Sequence, residues 1–157
     1  MSSALVDRTA ARVLLLDSEG AVLLLHGFDP ADPQAGTWWF TLGGGLEPGE
    51  DPAAGAAREL FEETGLAVPV SEFHGPVHER VAEFGLDGVR YRQREWFFVV
   101  RADRREIDTS GFTDLERRSI DGHRWWTPAE LAVTAETVYP EVLIELLASI
   151  PLAGPGV

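Results

Sequence analysis

Residues 44–66 read GGLEPGEDPAAGAARELFEETGL, and this stretch fixes local structure more tightly than any other in the chain. Asp51 before Pro52 is a helix N-cap followed by proline at the first helical position, where the missing N–H is no loss. Gly65 stands where a helix ends in a left-handed residue. Between them Ala53, Ala54, Ala56, Ala57, Arg58, Glu59, Leu60, Glu62 and Glu63 are mostly strong helix formers. Upstream, Glu47-Pro48-Gly49-Glu50 places proline then glycine at the centre of a type II turn. Gly43-Gly44-Gly45 gives a backbone that takes unusual dihedrals and lets a ligand approach closely. The expectation is loop, helix, loop.

On that helix Glu59, Glu62 and Glu63 stand at i, i+3 and i+4, so three carboxylates share one face. Like charges at this spacing repel unless something cationic sits against them. Hard oxygen donors on a rigid element suit Mg²⁺ or Mn²⁺. A metal site explains the pattern better than an acidic solvated helix does.

The stretch also matches, position for position, G-x5-E-x7-R-E-U-x-E-E-x-G-U with U aliphatic, running from Gly44 through Glu50 and Arg58-Glu59-Leu60 to Leu66. In this it resembles the Nudix hydrolases. The resemblance implies an α/β fold, an α/β/α sandwich with a mixed sheet and the box as a loop-helix-loop. It implies hydrolysis of a diphosphate linkage in a nucleoside diphosphate joined to another group. By the same resemblance a carbonyl at Gly43 joins Glu59, Glu63 and Glu62 around Mg²⁺ or Mn²⁺, with Gly44 and Gly45 lying against the substrate. Arg58 holds the carboxylates in place, while Glu50 either ligates or orients water and Arg58. Family members often add an acid from a loop beyond the box. Glu106, Asp108, Asp114 and Glu116 are the candidates here, and Glu116 is chosen because it shortly precedes the Trp125 strand, with a solvated loop acid as the alternative of at least equal weight.

Diphosphate cleavage needs such groups. Bound metal neutralises the phosphate charge and acidifies water, and a carboxylate takes the remaining proton. An acidic site in an acidic protein can then bind an anion, because the metal inverts the local charge.

The 157 residues, 45% hydrophobic and 25% charged, fit one soluble domain, ordered over about residues 8–150. Cysteine is absent, which removes disulfides, thiolate metal sites and cysteine nucleophiles. All 13 basic residues are arginine, so Schiff-base chemistry and a P-loop lysine are excluded. A net charge of −13 opposes binding to nucleic acid or anionic membranes. The N-terminus lacks the pattern of a signal peptide, and the leucine-rich run over 13–25 is too broken to span a membrane. A cytoplasmic protein is expected.

Residues 10–16 and 21–26 read as a buried hairpin. Residues 38–42 read as a strand entering the glycine loop, and 67–84 as strand-like with a break at Gly75-Pro76. Asp87-Gly88 signals a hairpin returning over 89–101. Residues 102–120 read as loop with a helical turn near 114–118. A strand over 123–127, a helical turn from Pro128 and a helix over 139–150 follow. The tail from Pro151 is expected to fray.

Arg90, Arg92 and Arg94 alternate and so share one strand face. They fit a phosphate clamp, but a solvated face or a homodimer contact balancing the acidic surface is the more ordinary role. Trp39 and Tyr91 are the aromatics best suited to stacking a base, although most such residues are core. The four histidines show no ligand spacing.

A Nudix-fold module that senses a nucleotide without cleaving it would be expected to lose box carboxylates, and here all are kept. Isopentenyl diphosphate isomerase needs a cysteine, and mRNA decapping needs a basic surface. The proline of ADP-ribose pyrophosphatases, the tyrosine of diadenosine polyphosphate hydrolases and the added motifs of NADH and coenzyme A pyrophosphatases are missing. Leu42 replaces the proline common before the triple glycine, which bears on loop rigidity more than on chemistry. The partner expected is a small nucleoside diphosphate derivative.

Overall fold

The computed structural model describes residues 4–151. Residues 1–3 of the expected leaderless N-terminus and residues 152–157 of the expected frayed tail lie outside the described residues. Seven strands form one mixed sheet: β1 (Val6–Leu16), β2 (Val22–Phe28), β3 (Thr37–Gly45), β4 (His74–Leu86), β5 (Val89–Arg101), β6 (Ile120–Trp126) and β7 (Val138–Tyr139). Their order is β4-β5-β1-β2-β3-β7, with β6 on β2 and β1 also pairing β3. The β1–β5 and β3–β7 pairs are parallel and the rest antiparallel. Helices α1 (Pro52–Thr64), α2 (Asp114–Ser119), α3 (Pro128–Val133) and α4 (Leu143–Ala148) complete the fold.

Strand side chains alternate between faces, so the continuous apolar run of β1 feeds two cores at once. Ala11, Val13 and Leu15 pack with Leu42, Phe98 and Val100 beneath Ala56 and Leu60 of α1. Leu14 and Leu16 face the other way, packing with Leu24, Phe97 and Trp126 beneath Leu131 of α3 and Leu143, Leu146 and Leu147 of α4. The sheet therefore lies between helical layers, as the box resemblance implied. Leu60 is fully buried, and burial of such a side chain stabilises the seat of α1 by about 2 kcal/mol. No helix among the described residues is long and apolar enough to cross a membrane.

Several boundaries differ from the sequence expectation. The β1–β2 hairpin meets only at Leu16↔Val22, because β1 turns to pair with β3 and β5 instead. Gly43, Gly44 and Gly45 are strand rather than loop, since Arg12, Ala11 and Ala10 of β1 pair with them. The segment after α1 makes a 3-10 turn at Val70–Glu72 before β4 begins at His74. The C-terminal helix starts only at Leu143, because Val138 and Tyr139 pair with Trp39 and Phe40 as a short strand. The Asp87-Gly88 hairpin is as expected: both φ angles are positive, 52° and 81°, as a type I′ turn requires.

Candidate active site

The local signals around α1 act as read. The Asp51 carboxylate accepts from the Ala53 and Ala54 amides at 3.1 and 3.3 Å. Gly65 is left-handed and its N–H donates to Phe61 O at 2.8 Å. In the preceding turn Gly49 has φ 74° and the Glu50 amide donates to Glu47 O at 3.0 Å. These constraints fix where the charged face of α1 points.

Arg58 organises that face. Its Nε and Nη2 grip the two oxygens of Glu50 at 2.8 and 2.9 Å, and Nη2 also donates to Gly45 O at 3.1 Å. Its Nη1 donates to Glu59 and to Glu62, both at 3.1 Å. One guanidinium thus ties three carboxylates to the end of β3, which suits its planar set of donors. Hydrogen bonding to Arg58 holds the Glu50 carboxyl at about 2, and the Arg58 pKa is raised in turn, first by Glu50. Glu50 is consumed by Arg58 and by the Glu47 amide at 3.0 Å.

Deeper in, Glu59 and Glu63 are 7% and 1% exposed. Glu63 Oε1 accepts from the Gly43 amide at 2.6 Å, whereas Oε2 is buried with no hydrogen-bond partner among the described residues. Burial is the first cause that raises Glu59 to about 7, and Glu116 and Glu62 add to it. Glu63 is pushed well above its usual value by burial first, then by Glu116 and Glu59.

Glu116 reaches them from α2. The loop ahead of it docks on the end of α1 through the Asp108 amide, which donates to Thr64 O at 2.8 Å. Gly111 packs so closely there that a Cβ would fall 2.5 Å from Glu62 O. Thr113 and Glu116 then form a capping box, with the Thr113 amide donating to Glu116 Oε1 at 2.8 Å. One oxygen each from Glu59, Glu63 and Glu116 lie within 4.8 Å of one another. An all-carboxylate donor set, two members of it buried and one oxygen orphaned, fits a hard divalent cation. Glu62 sits outside this trio, held by Arg58.

The remaining sequence candidates lie elsewhere. Gly44 faces the carboxylates: a Cβ there would meet Glu59 Oε1 at 2.8 Å. On β5, Arg92 pairs with Asp7 at 2.8 Å and Arg94 with Glu79 at 3.4 Å, while Arg90 is exposed. Tyr91 points to the opposite face, tilted against Phe84 and beneath the Arg8 guanidinium, 4.3 Å from the ring centre. Trp39 donates from Nε1 to Glu136 at 3.1 Å and leans on His26. One contact had no counterpart in the sequence reading: Arg12 of β1 donates to Gly43 O at 3.1 Å. The four-residue spacing of Arg8 and Arg12 on one strand face was the available signal.

A mixed sheet between helices, with a capped helix presenting carboxylates to a glycine strand end, defines an α/β protein of the Nudix type. The chain matches the NUDIX domain family over residues 6–147, and it belongs to that family. A MutT-like protein of Streptomyces ambofaciens is 34% identical over 122 residues, 78% of this chain and 66% of that protein. An RNA pyrophosphohydrolase of Rhodopseudomonas palustris (strain BisB18) is 40% identical over 62 residues, 38% of this chain and 34% of the relative. An octanoyltransferase of Myxococcus xanthus shares 60% identity over 38 residues, 24% of this chain and 11% of its own length. The chain thus spans between a tenth and two thirds of these curated relatives. Among solved structures, a NUDIX-family hydrolase from Clostridium perfringens superposes with TM-score 0.64 at 17% identity, covering 90% of this chain and 96% of that one. The MutT protein of Methanosarcina mazei Go1 gives 0.60 at 19% identity, covering 94% of each. These two likenesses concern the fold alone.

Proposed function

We propose that this protein hydrolyses a diphosphate linkage in a small nucleoside diphosphate derivative, using Mg²⁺ or Mn²⁺. The observation that carries this reading is the convergence of Glu59, Glu63 and Glu116 within 4.8 Å, with one Glu63 oxygen buried and unpartnered. Glu59, Glu63 and Glu116 would hold the ion, with the Gly43 carbonyl, which has a second lone pair beside its bond to Arg12, as a further donor. When bound, the metal neutralises phosphate charge and supplies an acidified water.

The chain's own residues do the rest. Arg58 fixes the orientation of Glu59 and Glu62, and Glu50 fixes Arg58. Glu62, whose side chain remains 35% exposed beside the trio, is the carboxylate assigned to accept the proton from the attacking water. Gly44 and Gly45 keep the strand end free of side chains where substrate must approach. The net charge of −13 favours a small ligand held at a metal over a nucleic acid or a membrane surface.

The test is a panel of nucleoside triphosphates, sugar nucleotides and dinucleotides incubated with Mg²⁺ and with Mn²⁺, with released phosphate products quantified. Metal-dependent cleavage at a diphosphate is expected for at least one class. Binding without turnover across the panel would instead make the protein a nucleotide-sensing module.

A further inference from the structure

The glycine strand end separates two clusters of opposite charge. On one side lie Glu59, Glu63 and Glu116. On the other, Arg8 and Arg12 of β1 project from the sheet face that carries Gly43 and Gly45. Arg12 Nη1 donates to Gly43 O at 3.1 Å, and Arg8 Nη1 lies 3.9 Å from where a Gly45 Cβ would be. The backbone of the glycine strand thus lies between acid and base.

The basic half is built rather than loose. Arg12 Nε donates to Glu95 Oε2 at 3.1 Å, and Arg80 Nε donates to Glu95 Oε1 at 2.6 Å. Gln93 Nε2 also donates to Glu95 Oε2, at 2.7 Å, while its own oxygen accepts from Arg8 Nε. Glu95 and Gln93 are 1% and 0% exposed, so the residues that orient the guanidinium groups are themselves fixed. Tyr91 supports Arg8 from below.

Charge is not balanced within this network. Arg12 and Arg80 share the one buried carboxylate of Glu95, Arg8 meets only the neutral Gln93, and the additional acid at Arg80, Glu141, is 3.4 Å away with its side chain 72% exposed. Arg8 and Arg12 are half-buried on one strand face, where their like charges are unfavourable unless anions offset them. Burial first and the charge of Arg12 second lower the Arg8 pKa, and the negative charges of Glu95 and Glu59 oppose the shift only in part. Neither Arg12 Nη2 nor the Arg8 terminal nitrogens make a hydrogen bond with the described residues, so these donors remain for a ligand. In a chain of net charge −13 such a cationic focus is not a generic surface property.

We infer that Arg8 and Arg12, oriented by Gln93 and Glu95, form a phosphate-binding clamp on the far side of the glycine strand from the carboxylates. Its ligand is a phosphate group of the nucleoside diphosphate derivative, gripped by guanidinium. This rests on the diphosphohydrolase reading for its physiological ligand, but binding itself requires no turnover. Guanidinium suits the task through paired, directional N–H donors.

The experiment is calorimetric titration of inorganic pyrophosphate into the full chain at pH 6 with EDTA. The wild-type protein is expected to bind, Arg8→Met to bind at least about tenfold more weakly, and the charge-matched control Arg105→Met to bind as wild type. A melting curve checks that Arg8→Met folds. Should it not, Arg8→Lys keeps the charge without the paired donors, and a weakening of at least about threefold is expected. Absence of binding by the wild-type protein, or equal binding by whichever Arg8 variant folds, overturns the clamp. A protein that hydrolyses diphosphates yet binds pyrophosphate independently of Arg8 would refute the clamp alone. One that binds through Arg8 but cleaves nothing would refute only the hydrolase reading.

Discussion

The Gly43 amide donates a 2.6 Å hydrogen bond to Glu63 Oε1, joining the end of β3 to the last turn of α1. The bond fixes one carboxylate oxygen and leaves the other buried and unpartnered. Glu63→Gln keeps an acceptor for Gly43 and puts an amide donor where Oε2 now faces other carboxylates. Turnover should fall by at least about a hundredfold, beyond the usual effect of losing an outer-shell partner. Melting of the metal-free variant at pH 8 should occur at a higher temperature than wild type. Steady-state assays and thermal denaturation test both halves, and unchanged turnover would refute the assignment of Glu63 as a ligand.

Glu59, raised to about 7 from 4.5, and Glu63, raised well above 4.5, both bind protons more tightly in the folded state than in the unfolded chain. Their contribution is therefore fully present below the unfolded value and is lost as pH rises through the folded values. Glu50, held at about 2 by Arg58, works in the opposite sense: its contribution is present above 4.5 and is lost as pH falls toward 2. Metal-free protein should thus be most stable between these limits, melting on the order of 5 °C lower at pH 8 than at pH 6. Added Mg²⁺ should restore stability at pH 8, because a bound cation replaces the protons. Melting temperatures in EDTA that did not change over this range would count against a buried acidic trio.

What could be read from the sequence was local. Asp51, Pro52 and Gly65 specify α1 through their own backbone preferences, and Asp87-Gly88 specifies the β4–β5 turn in the same way. The extended state of Gly43, Gly44 and Gly45 was not legible, since it depends on Ala10, Ala11 and Arg12 more than thirty residues earlier. The alternation of Arg90, Arg92 and Arg94 was visible, but not that Asp7, 85 residues away, neutralises Arg92. Choosing Glu116 drew on family resemblance. What seats it, the Asp108 amide on Thr64 and Gly111 against Glu62, has no local signature. Two-residue β7 exists only because Trp39 and Phe40 offer it an edge.

Glu116 has two roles that substitution can separate. Its Oε1 accepts from the Thr113 amide in the α2 capping box, while the carboxylate also joins Glu59 and Glu63. Glutamine serves equally well at this capping position. Glu116→Gln should therefore melt within about 2 °C of wild type in EDTA yet bind Mn²⁺ at least tenfold less tightly, roughly the scale of losing one fixed partner. Glu116→Ala should lose both, with about 1 kcal/mol of stability going with the cap. Metal titration followed by melting curves distinguishes the two. Equal Mn²⁺ affinity in Glu116→Gln and wild type would leave Glu116 a capping residue only.

Gly43 and Gly44 are neighbours whose replacement by alanine should fail in different ways. At Gly43, φ is 126° and a Cβ would lie 2.1 Å from Ala11 O, so backbone must move. Gly43→Ala should destabilise the fold by several kcal/mol, the range expected for a strained backbone combined with overpacking. At Gly44 the atoms in the way are the Glu59 carboxylate, 2.8 Å from Oε1 and 2.9 Å from Oε2. A flexible side chain can yield where a strand cannot. Gly44→Ala should therefore fold, with alanine in the strand offsetting part of the strain by about 0.5 kcal/mol. Its cost should fall on the site, as Glu59 is pushed out of register with Glu63 and Glu116. A melting temperature close to wild type with at least tenfold weaker Mn²⁺ binding is the expected pair of results. Undiminished Mn²⁺ binding in Gly44→Ala would mean that Glu59 holds no metal at its present position.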